Sequence, residues 1–442
     1  MPRWARKELT GWGRVLRAES DVARPERQAD IEGIMRDAGP LLARGGGRSY
    51  GDAAICRDGR IVQMTRLDRF LEFDPGTGSL VVEAGATFSD VIATFLPRGF
   101  MPPVVPGTGF ATLGGGVAND VHGKNHHWSG SFGRHVDWLD LRLPSGELRR
   151  VSPGAALFDA TIGGLGLTGI VERMSLRLKR VPSNALKVRK RRIRDLDEYL
   201  AAFSDEMNRS EYVVGWIDAL ATGRSTGRGI LEVASPSPQE TDDSPKKSRR
   251  VPIDFPAWAL NPWSVRAFNQ LYYKRVPSDG LDQIAPYGAF LFPLDAVLDW
   301  NRIYGKRGFH QFQCVVPLAS GREALIRMLG LISKSGQGSF LAVLKALGDA
   351  SGGHLSFPQP GYTLALDFPN AAAAVGLIAE LERITCDHGG RTYLAKDSTL
   401  SAESIRRMYP KLAQFQAVLH DVDPDERMNS DLARRLRLRD PA

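Results

Sequence analysis

The chain has 442 residues, 43% of them hydrophobic and 24% charged, with a formal net charge of +8 and an isoelectric point near 9.4. That length exceeds what one hydrophobic core organises and that composition excludes a disordered chain, so a folded protein of two domains is expected. Cys56, Cys314 and Cys386 are too widely spaced for a metal or disulfide pattern, and the scattered basic excess has no nucleic-acid-binding signature, which leaves phosphate-bearing ligands or an acidic membrane surface as the anionic partners to expect.

The opening MPRWARKELTGWGR contains no apolar segment of the kind a secretory signal or spanning helix needs, so a cytoplasmic location is expected. From about Pro40 to Lys179, short β-rich runs (RIVQM, GSLVVEAGA, WLDLRLPSGELRRV, GIVERMSLRLKRV) alternate with glycine turns. Between them, TFSDVIATFLPRGF sets Val91, Ile92, Phe95 and Leu96 at helical spacing, with Ser89 as the expected N-cap. After Pro182 the texture changes. LDEYLAAFSDEMNRS reads as a helix, and SPSPQETDDSPKKSRR, residues 235–250, is polar and of low complexity, so a mobile loop is expected there. Strand-like FHQFQCVVP, helical GREALIRMLGLISKSG, strand-like SFLAVLKAL and YTLALDFP, and helical AAAAVGLIAELERITCDHGG follow, an alternation that predicts a sheet backed by helices. The tail returns to loops and short helices.

Three glycine-rich loops adjoin strand-like runs in the first half. The first, ARGGGRSYGDAA over residues 43–54, lets backbone N–H groups approach an anion closely, but it lacks the lysine-serine ending of a nucleoside-triphosphate loop and the spacing of a dinucleotide fingerprint. Alone it is either a tight turn or an anion cradle. With VVPGTGFATLGGGVANDVHGKN and ATIGGLGLTGIV it becomes one of three backbone cradles, a set that suits a long ligand such as a flavin dinucleotide bound without a Rossmann fold. The stretch DVHGKNHHWSGSFG concentrates three histidines and a lysine, open to reading as a metal site, a catalytic loop or a surface turn. It lacks the glutamate and further ligand of a zinc-protease helix, and its glycines interrupt any continuous helix.

The order RGGGRSYGD, VEAGATFSDVIATFLPRGF, PGTGFATLGGGVANDVHGKNHH, GGLGLTGIV and VDPDERMNSDLARRL resembles the FAD-linked oxidases of the vanillyl-alcohol-oxidase type. Within that superfamily, GWGR, HGKNHHWSGSFG, LDWNRIYG, GFHQFQCVVP, YLAKDS and IRRMYP resemble the flavoproteins that oxidise a polyprenylphosphoryl ribose at C2 on the way to the arabinose donor of cell-envelope glycan. The resemblance runs from Gly11 to Leu438 and is thinnest from about Asn184 to Ala289. It implies an α+β, two-domain FAD-binding fold: residues 1–183 for FAD, residues 184–390 as an antiparallel-sheet substrate domain, and residues 391–442 returning to the FAD domain.

The same resemblance implies the site residues. Ala43, Arg44, Gly45, Gly46, Gly47, Arg48, Ser49, Tyr50, Gly51, Asp52 and Ala53 would wrap the FAD pyrophosphate, and Gly107, Thr112, Gly114 and Gly115 would run past it. Asn119, Asp120, Val121 and His122 would lie beside the isoalloxazine, with Val171 and Tyr393 completing the pocket. Lys396 would contact the reacting hydroxyl, as base or donor; His122 and Tyr50 are the other catalytic candidates. Lys124, Gln313, Lys345 and Ala365 would join Lys396 in binding substrate, with Ala365 and Leu291 standing where relatives carry cysteine and tyrosine. His126 and His127 would support their loop through hydrogen bonds, and no metal is expected. The implied partners are polyprenylphosphoryl ribose, a separate NADH-dependent short-chain reductase, a quinone or other electron acceptor, and peripheral contact with the inner membrane through a region including Lys246–Arg250; nucleic acid is not among them. The alternative is an FAD-linked oxidase of a free sugar, alditol or aldonolactone.

Relatives with covalently attached flavin carry a histidine where this chain has Arg48, so the FAD is expected to be non-covalent. Purified protein should be yellow, and acid precipitation should leave the flavin in the supernatant; colour retained in the pellet would show a covalent link at another residue.

Overall fold

The computed structural model describes residues 3–37, 39–242, 248–256, 258 and 260–440. Helices and large sheets are mixed, as an α+β chain requires. The first half builds a two-stranded pairing of Phe100–Met101 with Lys179–Arg180 and two larger sheets. In the smaller, Arg17–Ala23 and Leu41–Arg44 flank Arg60–Gln63 in parallel, and Ala5–Thr10 adds an antiparallel edge. In the other, Ile170–Arg177 sits between Ser79–Glu83 and Val136–Arg142, with Phe70–Asp74 and Leu148–Val151 at the edges, all antiparallel. The helix Phe88–Phe95 buries Phe88, Val91, Ile92 and Phe95 in the core that also takes Leu80, Val82, Leu139, Leu141, Met174 and Leu176 from this sheet. Its cap is Thr87 rather than Ser89. Thr87 has the extended backbone a cap needs, its hydroxyl accepts from Asp90 N, and Asp90 returns a bond to Thr87 N, so the capping box starts two residues earlier.

The second half forms an eight-stranded antiparallel sheet in the order Leu281–Pro286, Ala185–Ile193, Gly229–Ser237, Tyr212–Ile217, Ala342–Leu347, Gly361–Pro369, Phe309–Pro317 and Arg391–Thr392. Period-two alternation gives it two distinct faces. Phe312, Cys314, Val316, Leu344, Leu364 and Leu366 pack against helices Leu196–Glu206, Leu318–Ser335 and Ala372–Asp387, whose buried positions include Phe203, Leu325, Met328 and Leu381. The intervening residues point the other way. Of the segment 235–250 expected as a loop, Ser235–Ser237 end the strand Gly229–Ser237 and Arg249–Arg250 pair in parallel with Val297–Leu298. Residues 243–247, with Lys246 and Lys247 among them, lie outside the described residues.

The C-terminal tail closes the structure on the first half. Leu41 N donates to Arg427 O at 2.7 Å and Asn429 N to Leu41 O at 2.9 Å, while Leu412, Phe415, Leu419 and Leu432 pack with Ala53, Leu165 and Leu167. At its end, Arg435 donates to both oxygens of Asp52 at 2.8 Å, to Asp397 Oδ2 at 2.8 Å and to Leu400 O at 2.6 Å. Both carboxylates are buried, so the guanidinium is what makes their ionised burial tolerable. Arg435→Met should therefore lower stability by about 3–5 kcal/mol, the usual loss when one partner of a buried ion pair is removed. Urea denaturation checks it, with Asp52→Asn added to the Arg435 variant expected to recover part of the loss.

Candidate active site

One cavity of about 790 Å³ lies between the glycine loops of the first half and the free face of the eight-stranded sheet. The loops make one wall because a side chain there would collide with its neighbours. A Cβ on Gly45 would stand 2.0 Å from the Thr112 side-chain Oγ1, and one on Gly46 would stand 2.5 Å from the carbonyl oxygen of Phe110, so the second glycine loop packs directly on the backbone of the first. Gly47 turns at φ +64°, in the left-handed region that glycine tolerates. Gly107, by contrast, has no atom within 4 Å of where a Cβ would be, although it lines the cavity. Arg48 crosses this wall with its guanidinium 4.3 Å from the Trp12 ring and 4.9 Å from the Phe110 ring.

Several buried polar atoms of the cavity wall have no hydrogen-bond partner among the described residues: Arg48 Nε, Asn119 Oδ1 and His122 Nδ1. Buried polar atoms are rarely left so, and their placement along one cavity fits a long ligand with heteroatoms at intervals. The side-chain-free glycine cradles, the mixed apolar and polar lining and these atoms together suit the residues present to hold FAD.

The sheet makes the opposite wall. Cross-strand register sets Gln313 opposite Ala365, Val343 opposite Ala365 on its other side, Lys345 opposite Thr363 and Gln311 opposite Asp367. Gln313 Nε2 donates to Thr363 Oγ1 at 3.2 Å and lies 3.1 Å from His122 Nε2. An amide nitrogen only donates, so His122 accepts at Nε2 and carries its proton on Nδ1, the atom left without a partner. Burial first, then the charges of Lys345 and Lys396, hold the His122 pKa well below the ordinary imidazole value, so the ring is neutral.

Three of the four lysines that line the cavity among the described residues follow one another along it. Lys396 follows the turn closed by Lys396 N donating to Tyr393 O, and its ammonium stands 3.7 Å from the centre of the Tyr50 ring. Burial pushes its pKa down to about 7, with Asp367 opposing and Lys345 adding to the fall. Burial and then Lys124 bring Lys345 to about 8. Lys124, whose ammonium donates to Phe290 O, is brought by burial to about 8 as well, against Glu232 and with Lys190. Among the described residues, the carboxylate whose charge acts on Lys396 is Asp367, fully buried, which accepts from Gln311 Nε2 at 2.5 Å and from the Tyr304 hydroxyl at 3.2 Å; burial raises it to about 7.

Of the residues that the sequence singled out, Ala43, Arg44, Gly45, Gly46, Gly47, Arg48, Ser49, Tyr50, Ala53, Gly107, Thr112, Gly114, Gly115, Asn119, Val121, His122, Val171 and Tyr393 line the cavity, as do Lys124, Gln313, Lys345, Ala365, Lys396 and Leu291. Gly51, Asp52 and Asp120 do not. A Cβ on Gly51 would lie 1.8 Å from Asp397 O, so that glycine permits a close backbone crossing behind the wall; Asp52 is turned to Arg435. Asp120 gathers Ser131 Oγ at 2.8 Å, Gly133 N at 2.9 Å and Ser351 Oγ at 2.5 Å, fixing the histidine loop from behind. His126 Nδ1 accepts from Gly348 N at 3.1 Å and His127 Nε2 donates to Ser210 O at 3.0 Å, so both tie the loop to the second half. Gln311 and Asp367 were missed from sequence. Each lies two residues from a predicted site residue on the same strand, Gln313 and Ala365, and period two alone could have found them.

Residues 20–152 match the FAD binding domain family, and residues 372–436 match the D-arabinono-1,4-lactone oxidase family. The chain is 35% identical to decaprenylphosphoryl-β-D-ribose oxidase of Mycolicibacterium smegmatis over 98% of both chains. It is 34% identical to an uncharacterized protein of Streptomyces coelicolor, over 78% of this chain and 97% of that one. It is 23% identical to L-gulono-1,4-lactone dehydrogenase of Mycobacterium tuberculosis, over 96% of this chain and 97% of that one. The cofactor is FAD.

Cys314 faces the helix-side core and Cys386 stands on the helix Ala372–Asp387, whereas Ala365 lines the cavity. No thiol labelling that a bound ligand protects should therefore occur on Cys314 or Cys386, and Ala365→Cys should create it. Peptide mass spectrometry after treatment with a cavity-directed electrophile reads both results.

Proposed function

Because the chain belongs to the decaprenylphosphoryl-β-D-ribose oxidase family of FAD-linked oxidoreductases, we propose that it oxidises the C2 hydroxyl of a polyprenylphosphoryl-β-D-ribose to the 2-keto sugar, the first half of an epimerisation to the arabinose donor. The observation that carries this reading is the wall formed by Lys396, Tyr50, His122, Gln313 and Lys345, which gathers a near-neutral amine and several oriented hydrogen-bonding groups beside the glycine cradles.

FAD, when bound, supplies the two-electron acceptor for the carbinol carbon. Ala43 to Tyr50 with Ala53, and the loop through Gly107, Thr112, Gly114 and Gly115, would hold its pyrophosphate end, and Asn119, Val121, His122, Val171 and Tyr393 its ring end. Arg48 is packed between Trp12 and Phe110 with no nucleophilic atom to offer, which supports non-covalent binding. Lys396, as the neutral amine, accepts the hydroxyl proton at Nζ; its pKa near 7 makes it a competent base at neutral pH. When protonated, Lys396 is held over the face of the Tyr50 ring. His122 is neutral with Nδ1–H free, and so donates to a substrate oxygen without adding charge, while Gln313 sets its tautomer. Lys345 and Lys124, with no carboxylate bonded to them among the described residues, favour an anionic substrate.

The division into residues 1–183, 184–390 and 391–442 belongs to the same reading, supported by the separation of the sheets and by the tail's return to the first half. Return of the keto sugar to an alcohol is assigned to a separate NADH-dependent short-chain reductase, and the electrons to a quinone. No helix among the described residues is long and apolar enough to cross a membrane. Peripheral contact with the inner membrane from the cytoplasmic side is supported by Ile253, Trp258, Trp263 and Leu271, all more than 60% exposed, beside basic Arg249, Arg250, Arg266 and Lys274. The lactone oxidase match of residues 372–436 supports, more narrowly, the reading as an oxidase of a free sugar or aldonolactone.

Lys396→Met should keep its FAD and lose about 10²–10⁴-fold in the rate of anaerobic flavin bleaching by polyprenylphosphoryl ribose. In the wild type that rate should rise with pH through about 7, as Nζ loses its proton, and level off above. A Lys396→Met enzyme bleached at the wild-type rate would move the base to His122 or Tyr50; a wild type that lipid-linked ribose does not bleach, but an aldonolactone does, would favour the second reading.

A further inference from the structure

Among the described residues, eight basic and three acidic side chains line the cavity. Arg44 and Arg48 belong to the glycine-loop wall, and Lys345 and Lys396 to the reacting wall. A third group stands apart from both. Lys190 and Glu232 are direct cross-strand partners of Ala185–Ile193 and Gly229–Ser237, with Nζ 3.0 Å from Oε1. Arg275 Nη2 reaches the same oxygen at 3.5 Å. Its guanidinium is fixed by stacking 3.6 Å over the Tyr272 ring and by donating to the Tyr272 hydroxyl at 2.6 Å. Lys124 lies close enough that its own ionisation responds to both Glu232 and Lys190.

One carboxylate therefore faces three cations. The side chains of Lys190 and Glu232 are 17% and 16% exposed and that of Arg275 is 43% exposed, so the group runs from the cavity wall out to solvent and marks a mouth. Immediately outside is the helix Pro262–Lys274, whose Trp263 and Leu271 are 79% and 72% exposed. Excess positive charge in a partly dehydrated wall favours an anion that can accept charge-assisted hydrogen bonds from two donors, and a phosphate ester does so.

We propose that Lys190 and Arg275 form an anion subsite at the cavity mouth that takes the phosphate of an isoprenoid phosphate ester, with Glu232 as the resident counter-charge that the phosphate displaces. The proposal rests on the substrate reading given above and adds the residues that recognise its anionic group. A phosphate held there directs the sugar inward, toward Lys345 and Lys396, and the apolar chain outward, along the Trp263 and Leu271 face. A free sugar or lactone has no group to fill it.

The test measures calorimetric binding of farnesyl phosphate, inorganic phosphate and farnesol to the FAD-loaded enzyme, and kinetics with farnesylphosphoryl ribose. Lys190→Gln and Arg275→Gln should each weaken farnesyl phosphate binding roughly tenfold, the ordinary loss of a charge-assisted hydrogen bond, with the kinetic effect falling on KM rather than kcat. Glu232→Gln removes the competing carboxylate and should tighten farnesyl phosphate binding, a direction that misfolding does not produce. Farnesol binding should be indifferent to all three. Unchanged farnesyl phosphate affinity in both cation variants, or weaker binding in Glu232→Gln, overturns the subsite. Inorganic phosphate bound as tightly as farnesyl phosphate overturns its assignment to a lipid-linked ligand. If farnesyl phosphate binds through these residues but lipid-linked ribose leaves the flavin oxidised, the subsite stands and the oxidation reading fails. If lipid-linked ribose bleaches the flavin and KM is unmoved in both cation variants, the oxidation reading stands and the subsite fails.

Discussion

The site depends on one buried ion triad. Arg435, near the end of the chain, holds Asp52 of the first glycine loop and Asp397 of the YLAKDS turn in a single set of charge-assisted hydrogen bonds. Those two segments are also zipped by backbone: Tyr50 N donates to Ala395 O at 2.9 Å, and Gly51 crosses so close to Asp397 that no side chain would fit. The placement of Lys396 over the Tyr50 ring follows from this crossing, since Tyr50 carries the zipped amide and Lys396 lies between its acceptor Ala395 and the paired Asp397. A buried triad of this kind needs all three members, because each carboxylate left alone would be an uncompensated charge in a low dielectric.

Inside that frame the chemistry is set by charge crowding. Lys124, Lys345 and Lys396 are linked, each depressing the next, and burial weakens all three as cations. Asp367 is the counterweight at the inner end, but it is itself so poorly hydrated that its pKa rises to about 7. Amine and carboxyl are thus brought toward the same pKa from opposite sides, which is the condition for a group that exchanges protons near neutrality. The histidines beside them remain neutral for the same reason, and burial brings His126 to about 3. Neutral rings there leave the positive charge of the cavity to the lysines and arginines.

The sequence by itself determined a good part of this protein. The three glycine loops are legible because closely approaching backbones tolerate no Cβ, and that demand is written at single positions. The helices and strands of the second half follow from local periodicity, whereas Gln313, Lys345, Ala365 and Lys396 are implied only by the family resemblance. Most of the residues singled out do line one cavity. Only the tertiary structure decided which way the others turn. Gly51, Asp52 and Asp120 sit among cradle residues in sequence, yet their partners are Asp397, Arg435 and Ser351, hundreds of residues away, and these pull them behind the wall. Gln311 and Asp367 lie on ordinary-looking strands, and their burial beside Lys396 depends on strand register. The meeting of Lys190, Glu232 and Arg275 needs two strands and a helix end brought together. Local sequence specifies backbone freedom and periodicity, whereas the pairing and burial of charged groups are set by contacts between distant segments, which no single stretch contains.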